Sequence, residues 1–311
     1  MTASRTHERE DLVQDFYNRP PLGYAEYGDP HGAPVLAFHG TPGSRIKFRA
    51  ADAPARALGL RIVAPDRRGY GLSTFAKHDA LADWAYDMAA LCDTLRIDRF
   101  AVMGISGGGP YAVACAESLD SRVSALALVS PVGPVAEADV ADQLDWFHRF
   151  CFLHLPRSRA GSWLVWHAIR AGFRRAPLAT WRLAQARAPH TDVETLRTPG
   201  VEERLSGSFR EGLAPGIAGA LQDQALFAKP WDLPLDQITA PTKIWQGDAD
   251  VNVPVAAVHH LAEQIPNCTF EELPGQGHLW ISINYPVVLQ WLCEVVSAPA
   301  RASGTPGHNR L

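Results

Sequence analysis

Residues 99–112 read RFAVMGISGGGPYA. The first half, Phe100 to Ile105, is almost wholly apolar, the pattern of a strand buried on both faces. The second half is glycine, then Pro110, then a helical spacing of apolar residues at Tyr111, Ala112, Val113, Cys115, Ala116 and Leu119. Between the halves stands one hydroxyl, Ser106, framed as Gly104-Ile105-Ser106-Gly107-Gly108, a G-x-S-x-G motif. A serine at so sharp a strand-to-helix turn is held in strained torsions with its Oγ aimed at a cleft, and its neighbours must be nearly free of side chains. The helix that follows directs N–H groups and the positive end of its dipole at the same point. The bland alternative is a glycine-rich turn with an incidental serine, or a phosphate loop. A Walker-type loop needs Lys-Ser/Thr after the glycines, where Pro110-Tyr111 stand.

Outward from this stretch, short apolar runs alternate with helical patterns. Strands are expected at Leu22–Tyr27, Pro34–Phe38, Arg61–Ala64, Val123–Val129, Thr242–Gln246 and Cys268–Leu273. Helices are expected near 48–58, 81–95, 255–264 and 286–297, from apolar residues three and four apart. This rhythm predicts an α/β fold: a mostly parallel sheet with helices on both faces, binding ligands beyond the carboxyl ends of its strands. Three glycine-rich loops follow such strand ends, HGTPGS (39–44), DRRGYG (66–71) and GISGGG (104–109), and should meet in space.

From 131 to 235 the rhythm stops. The stretch is helical and rich in aromatic residues, and it reads as a helical cap inserted over the ligand edge of a discontinuous core formed by 1–130 and 236–311. The ends, 1–15 and 298–311, read as loosely held tails. Of the cap's aromatics, Trp146, Phe150 and Trp166 are the candidates for an apolar substrate pocket, although any of them could instead belong to the cap's own core. Between Arg149 and Arg187 lie eight arginines and no Asp or Glu. Such a run is usually the solvated face of amphipathic helices. The sharper reading is a positive lid that attracts an anionic substrate or an acidic carrier.

A serine hydroxyl is a poor nucleophile until a base takes its proton, an acid orients that base, and donors receive the developing oxyanion. His278, in PGQGH after the last expected strand, is the base candidate. Asp250, in GDADVNVP, is the acid candidate, with Asp248 as competitor and the better choice for turn hydrogen bonding.

The order Ser106, Asp250, His278 resembles that of the α/β-hydrolases. The chain is similar to the branch with an HG-x-PG loop, a D-R-x-G-x-G-x-S loop and a helical cap before the acid, over roughly residues 22–297 apart from the cap. The resemblance implies a Ser-His-Asp triad and two oxyanion donors, the backbone N–H of Thr41 and of Gly107. It implies structural roles for His39 and Asp66. Relatives that cleave alkyl halides or epoxides place Asp where Ser106 stands, so acyl chemistry is expected. The proline iminopeptidase branch reads HGGPG, and Thr41 departs from it. The expected function is cofactor-free hydrolysis of a carboxylic ester, or a thioester or amide. Acyl transfer, cyclisation, C–C cleavage or lyase chemistry could use the same triad, and a ligand-binding receptor or scaffold could use the same fold.

The bulk composition agrees with an ordinary globular chain of 311 residues, 47% hydrophobic and 20% charged, with net charge −4. That balance gives no reason to expect nucleic acid or a membrane surface as partner. No apolar stretch has the length of a membrane span, and the polar start MTASRTHERE lacks a secretory signal's apolar segment. Five scattered cysteines without a Cys-x-x-Cys pair suit a reducing, cytoplasmic setting, and no metal-ligand cluster appears.

Overall fold

The computed structural model describes residues 9–298. Eight strands form one sheet in the order β1-β2-β4-β3-β5-β6-β7-β8. They are β1 (Leu12–Gln14), β2 (Leu22–Gly28), β3 (Ala33–Phe38), β4 (Leu60–Pro65), β5 (Phe100–Ile105), β6 (Val123–Val129), β7 (Thr242–Gly247) and β8 (Cys268–Leu273). The β1–β2 and β2–β4 pairs are antiparallel, and every other pair is parallel. The central strands are uninterrupted apolar runs because both of their faces are covered. Phe100 and Val102 of β5 face one core with Leu36, Phe38, Leu126 and Leu128. Ala101, Met103 and Ile105 face the other with Val35, Ala37, Ala127 and Val129.

In chain order the first helices are α1 (Asp52–Ala57), α2 (Asp83–Thr94) and α3 (Gly109–Ser118). Between β6 and β7 come α4 (Ala138–Ala141), α5 (Trp146–His148), α6 (Arg159–Arg175), α7 (Pro177–Ala184), α8 (His190–Arg197), α9 (Val201–Gly212) and α10 (Ala218–Phe227). The chain closes with α11 (Val255–Gln264) and α12 (Ile281–Ser297). Helices α2, α3 and α11 cover one face of the sheet. Helix α1, the 3-10 turn Arg45–Ala51 before it, and α12 cover the other. The last helix starts earlier than its apolar pattern suggests and kinks at Asn284, two residues before Pro286, whose ring cannot continue a regular hydrogen-bonded turn.

The helices between β6 and β7 have their own core, with Phe173, Trp181, Val201, Leu205 and Leu213 packed against Tyr70 and Leu279 of the sheet's loops. Leu226, Phe227, Trp231 and Leu235 pack instead into the sheet's core, so by packing the chain returns to the sheet within α10. Helix α6 shows why this segment folds as it does. Ser158 caps it by accepting the N–H of Gly161 at 3.1 Å, and Arg174 and Arg175 stand in the last turn, where cations favour the helix dipole.

The N-terminal segment corrects an expectation. Residues 9–15 are docked rather than loose; residues 1–8 and 299–311 lie outside the described residues. Leu12–Gln14 pairs with β2, and the Glu10 carboxylate is forked by Arg49 at 2.7 and 2.6 Å. Three residues are too short a run to carry a period-2 signal. Among the described residues, no helix is long and apolar enough to cross a membrane, and no group of three or more His, Cys, Asp or Glu side chains could hold a metal ion.

Candidate active site

β5 ends at Ile105, and Ser106 follows with φ +54°, a left-handed torsion that a serine adopts only when its surroundings enforce it. A 3-10 turn, Ser106–Gly108, joins β5 directly to α3, and the Ser106 carbonyl accepts the Val132 N–H at 3.0 Å. A Cβ at Gly107 would lie 2.3 Å from Thr41 Oγ1 and 3.0 Å from Thr41 N. Glycine therefore lets the 39–44 loop close against the elbow and sets the backbones of Thr41 and Gly107 side by side at Ser106. Among the described residues, no backbone or side-chain acceptor is bonded to the Thr41 N–H.

His278 and Asp250 arrive from the loops after β8 and β7. His278 Nε2 lies 3.0 Å from Ser106 Oγ, and His278 Nδ1 lies 2.7 Å from Asp250 Oδ2. The carboxylate fixes the proton on Nδ1, which leaves Nε2 to accept from the serine hydroxyl. Asp250 is buried, and burial opposes its charge. The His278 imidazole and the N–H groups of Asn252 and Val253, at 2.8 and 3.2 Å, nevertheless hold its carboxyl below the usual range. Asp248 is exposed and accepts the Gly275 N–H at 2.7 Å, a turn contact with no reach to His278.

Two carboxylates that sequence reasoning missed complete the surroundings. Asp192, on α8, accepts the N–H of His278 at 3.0 Å and of Leu279 at 2.8 Å. A Cβ at Gly277 would fall 2.4 Å from Asp192 Oδ1, so only glycine admits this approach. Burial pushes the Asp192 carboxyl up, against the pull of those N–H groups. Asp223, on α10, accepts from Thr41 Oγ1 at 2.5 Å, Arg67 Nη2 at 2.6 Å, Tyr70 Oη at 2.8 Å and Tyr111 Oη at 2.6 Å. The Arg67 guanidinium also lies over the rings of Tyr70 and Tyr111, at 5.2 and 4.8 Å. Burial disfavours its charge, but the Asp223 carboxylate more than offsets that and keeps it protonated. The only sequence signal for either carboxylate is an acidic residue within a helical stretch.

His39 and Asp66 anchor loops. Burial and then Arg67 press the His39 imidazole well below its ordinary range. Its Nδ1–H donates to Gly40 O at 2.8 Å and its Nε2 accepts the Arg67 N–H at 3.2 Å. Asp66 accepts from Arg45 Nη1 at 2.8 Å and from the N–H groups of Arg45 and Leu72 at 2.6 and 2.9 Å.

Above Ser106 lies a cavity of about 400 Å³ between the sheet's loops and the helices inserted after β6. Ser106, His278, Thr41 and Gly107 line its floor, and Trp166 lines its wall with Nε1 donating to Gln224 Oε1 at 3.1 Å. Trp146 and Phe150 do not belong to it. They are 78% and 48% exposed, while Phe147, Cys151 and Phe152 face the cavity. The stretch runs from a short α-helix into a π-helical turn at Arg149–His154. Phe147 and Cys151, four apart, take the cavity side, while Trp146 and Phe150, each one position earlier, take the solvent side.

The arginine run is mostly solvated. Arg157, Arg159, Arg174, Arg175, Arg182 and Arg187 are exposed. Arg182 pairs with Glu202 at 2.7 Å, and Arg149 and Arg170 donate to the backbone carbonyls of Ala141 and Leu213.

Residues 33–282 match the family model described as alpha/beta hydrolase fold, and the chain belongs to that family. It is 25% identical over 262 residues to the uncharacterized hydrolase YcgS of Bacillus subtilis (strain 168), covering 80% of this chain and 86% of that one. It is 28% identical over 291 residues to a non-heme chloroperoxidase of Burkholderia pyrrocinia, covering 88% and 95%. Among solved structures, an alpha/beta hydrolase fold protein from Nakamurella multipartita superposes with a TM-score of 0.67 at 25% identity, covering 91% of this chain and 98% of that one.

Proposed function

We propose that this chain is a serine esterase, with Ser106 as nucleophile, His278 as general base and acid, and Asp250 as the group that orients His278. The observation that carries this reading is the continuous relay from Asp250 through both ring nitrogens of His278 to Ser106 Oγ, at 2.7 and 3.0 Å. The membership of the hydrolase family and the largely apolar cavity above the serine support it.

In this reading Ser106 Oγ attacks the ester carbonyl carbon while its proton passes to His278 Nε2. Asp250 stabilises the imidazolium without taking the proton. The carbonyl oxygen becomes an oxyanion facing the N–H groups of Thr41 and Gly107, each such donor being worth about 3 kcal/mol of barrier. The C–O bond to the alcohol breaks, and the alcohol leaves with the proton from Nε2. Water then adds to the acyl-enzyme by the same steps, and the carboxylic acid is released.

The test is a panel of p-nitrophenyl esters, thioesters and aminoacyl amides against wild type and Ser106→Ala. Ester turnover should fall by roughly a thousandfold or more on losing the nucleophile, and a fluorophosphonate should label wild type alone. Turnover equal in both proteins overturns the reading.

A further inference from the structure

Among the residues that line the cavity above Ser106 there is one lysine and no acidic side chain. Lys47, on the 3-10 turn Arg45–Ala51, lines the cavity alongside Gly40, Thr41 and Pro42. Among the described residues, no hydrogen bond or ion pair to the Lys47 ammonium is found, and burial is the only influence acting on it, pushing it down to about 8. Neighbouring carboxylates on the same side of the fold are engaged elsewhere: Asp66 and Glu211 bind Arg45, and Glu10 binds Arg49. His39, whose imidazole feels the Lys47 charge, is held neutral and offers no compensation.

Lys47 is half-buried, so solvent reaches it while the cavity is open; a substrate that fills the cavity displaces that solvent, and the apolar surroundings then favour an anion beside the ammonium. Lys47 remains there without a protein partner, in a cavity whose other lining is largely apolar or neutral. Arg187 adds a positive charge beside the cavity, stacking over the lining residue Phe147 at 3.8 Å. A positive charge at that place favours the approach of an anion.

We infer that the substrate carries a carboxylate remote from the bond that is cleaved, and that Lys47 is its counter-ion in the cavity. The inference rests on the esterase reading for the position of the cleaved bond, and names the substrate class as half-esters of dicarboxylic acids or esters of comparable charge. Lys47 would then be a specificity residue: it binds a part of the substrate that does not react.

The experiment compares mono-p-nitrophenyl esters of succinic, adipic and suberic acid with neutral p-nitrophenyl esters of equal chain length, in wild type, Lys47→Met and Lys47→Gln. Thermal melting first confirms that both variants fold. The expected result is a preference of wild type for at least one charged ester, expressed mainly in KM. In both variants the charged-to-neutral ratio of kcat/KM should fall by about 10- to 100-fold, the worth of a hydrogen bond to a charged group. An equal loss on charged and neutral esters would instead place Lys47 at the oxyanion and overturn the inference, as would an unchanged ratio.

A binding arm separates this outcome from the fate of the esterase reading. Ser106→Ala and Ser106→Ala/Lys47→Met are titrated calorimetrically with the monomethyl half-esters of the same acids and with their neutral methyl ester counterparts. Tighter binding of a half-ester that is lost in the double variant sustains the inference even if no ester is turned over. Binding of no half-ester above its neutral counterpart sinks it even if neutral esters are hydrolysed through Ser106.

Discussion

Asp192 Oδ2 accepts the backbone N–H of His278 at 3.0 Å, so a carboxylate on a helix inserted after β6 holds the loop that presents the imidazole to Ser106. Its second oxygen holds Leu279, and Asn could satisfy only one of the two N–H groups. Asp192→Asn should lower kcat for ester turnover by roughly tenfold with little change in KM, and Asp192→Ala by more, because hydrogen bonds to a charged acceptor are each worth about 1.5–3 kcal/mol. Steady-state kinetics with fluorophosphonate labelling rates check this. A rise in KM alone would assign Asp192 to the pocket and not to the histidine loop. Gly277→Ala should reproduce the kcat defect, since its Cβ would displace the carboxylate.

Asp223 and Arg67 form a buried pair, each side chain about 2% exposed. Asp223→Ala leaves the guanidinium buried without a counter-charge, a loss of about 3–5 kcal/mol. Tyr111→Phe removes one hydrogen bond to the carboxylate and should cost nearer 1–2 kcal/mol. Denaturant unfolding of the two variants gives both figures, and equal losses would show that Arg67 finds another partner.

Asp250 and Asp248 are two residues apart but differ in what they touch. Asp250→Asn should reduce kcat by roughly 10⁴-fold, through loss of the imidazole's correct tautomer. Asp248→Asn should stay within a fewfold of wild type, because its contact is the Gly275 N–H. Comparable losses in both would remove Asp250 from its assigned position.

The pH dependence of stability has a definite contributor in Asp87. Burial opposes its charge, but Arg68 at 2.7 Å and His78 at 3.2 Å hold its carboxyl far below the ordinary range. A depressed folded-state value means that the unfolded chain binds the proton more readily, so the stabilisation is present above about pH 4 and lost as pH falls further. Asp87→Asn should therefore destabilise the protein strongly at pH 7, and the gap from wild type should close on acidification from pH 4 downward. Unfolding curves at pH 7, 5 and 3 test the sign; a gap that widens toward pH 3 contradicts it.

The sheet was legible because its central strands are buried on both faces, which makes VSALALV and FAVMGI readable as uninterrupted apolar runs. Ser106, Asp250 and His278 were legible because each occupies a loop directly after a strand. Asp192 and Asp223 were not. Their partners lie 86 and 156 residues away, and nothing local distinguishes a buried acid from a solvated one on a helix. Lys47, in SRIKFRA, reads as a surface residue until the turn places it at the cavity. Trp146 and Phe150 misled because aromatic composition does not tell which side of a helix faces the cavity, and here Phe147 and Phe152 take that side.

The anchoring of α8 and α10 also constrains how such a protein changes over evolutionary time. The helices inserted after β6 supply both the acceptor that steadies the histidine loop and the carboxylate that holds Thr41. A transplant lacking acids at those two places would dismantle the chemistry together with the selectivity. New substrates are accessible to this chain by altering the wall between the anchors, at residues such as Val165, Trp166 and Ile169, with the cover itself inherited intact.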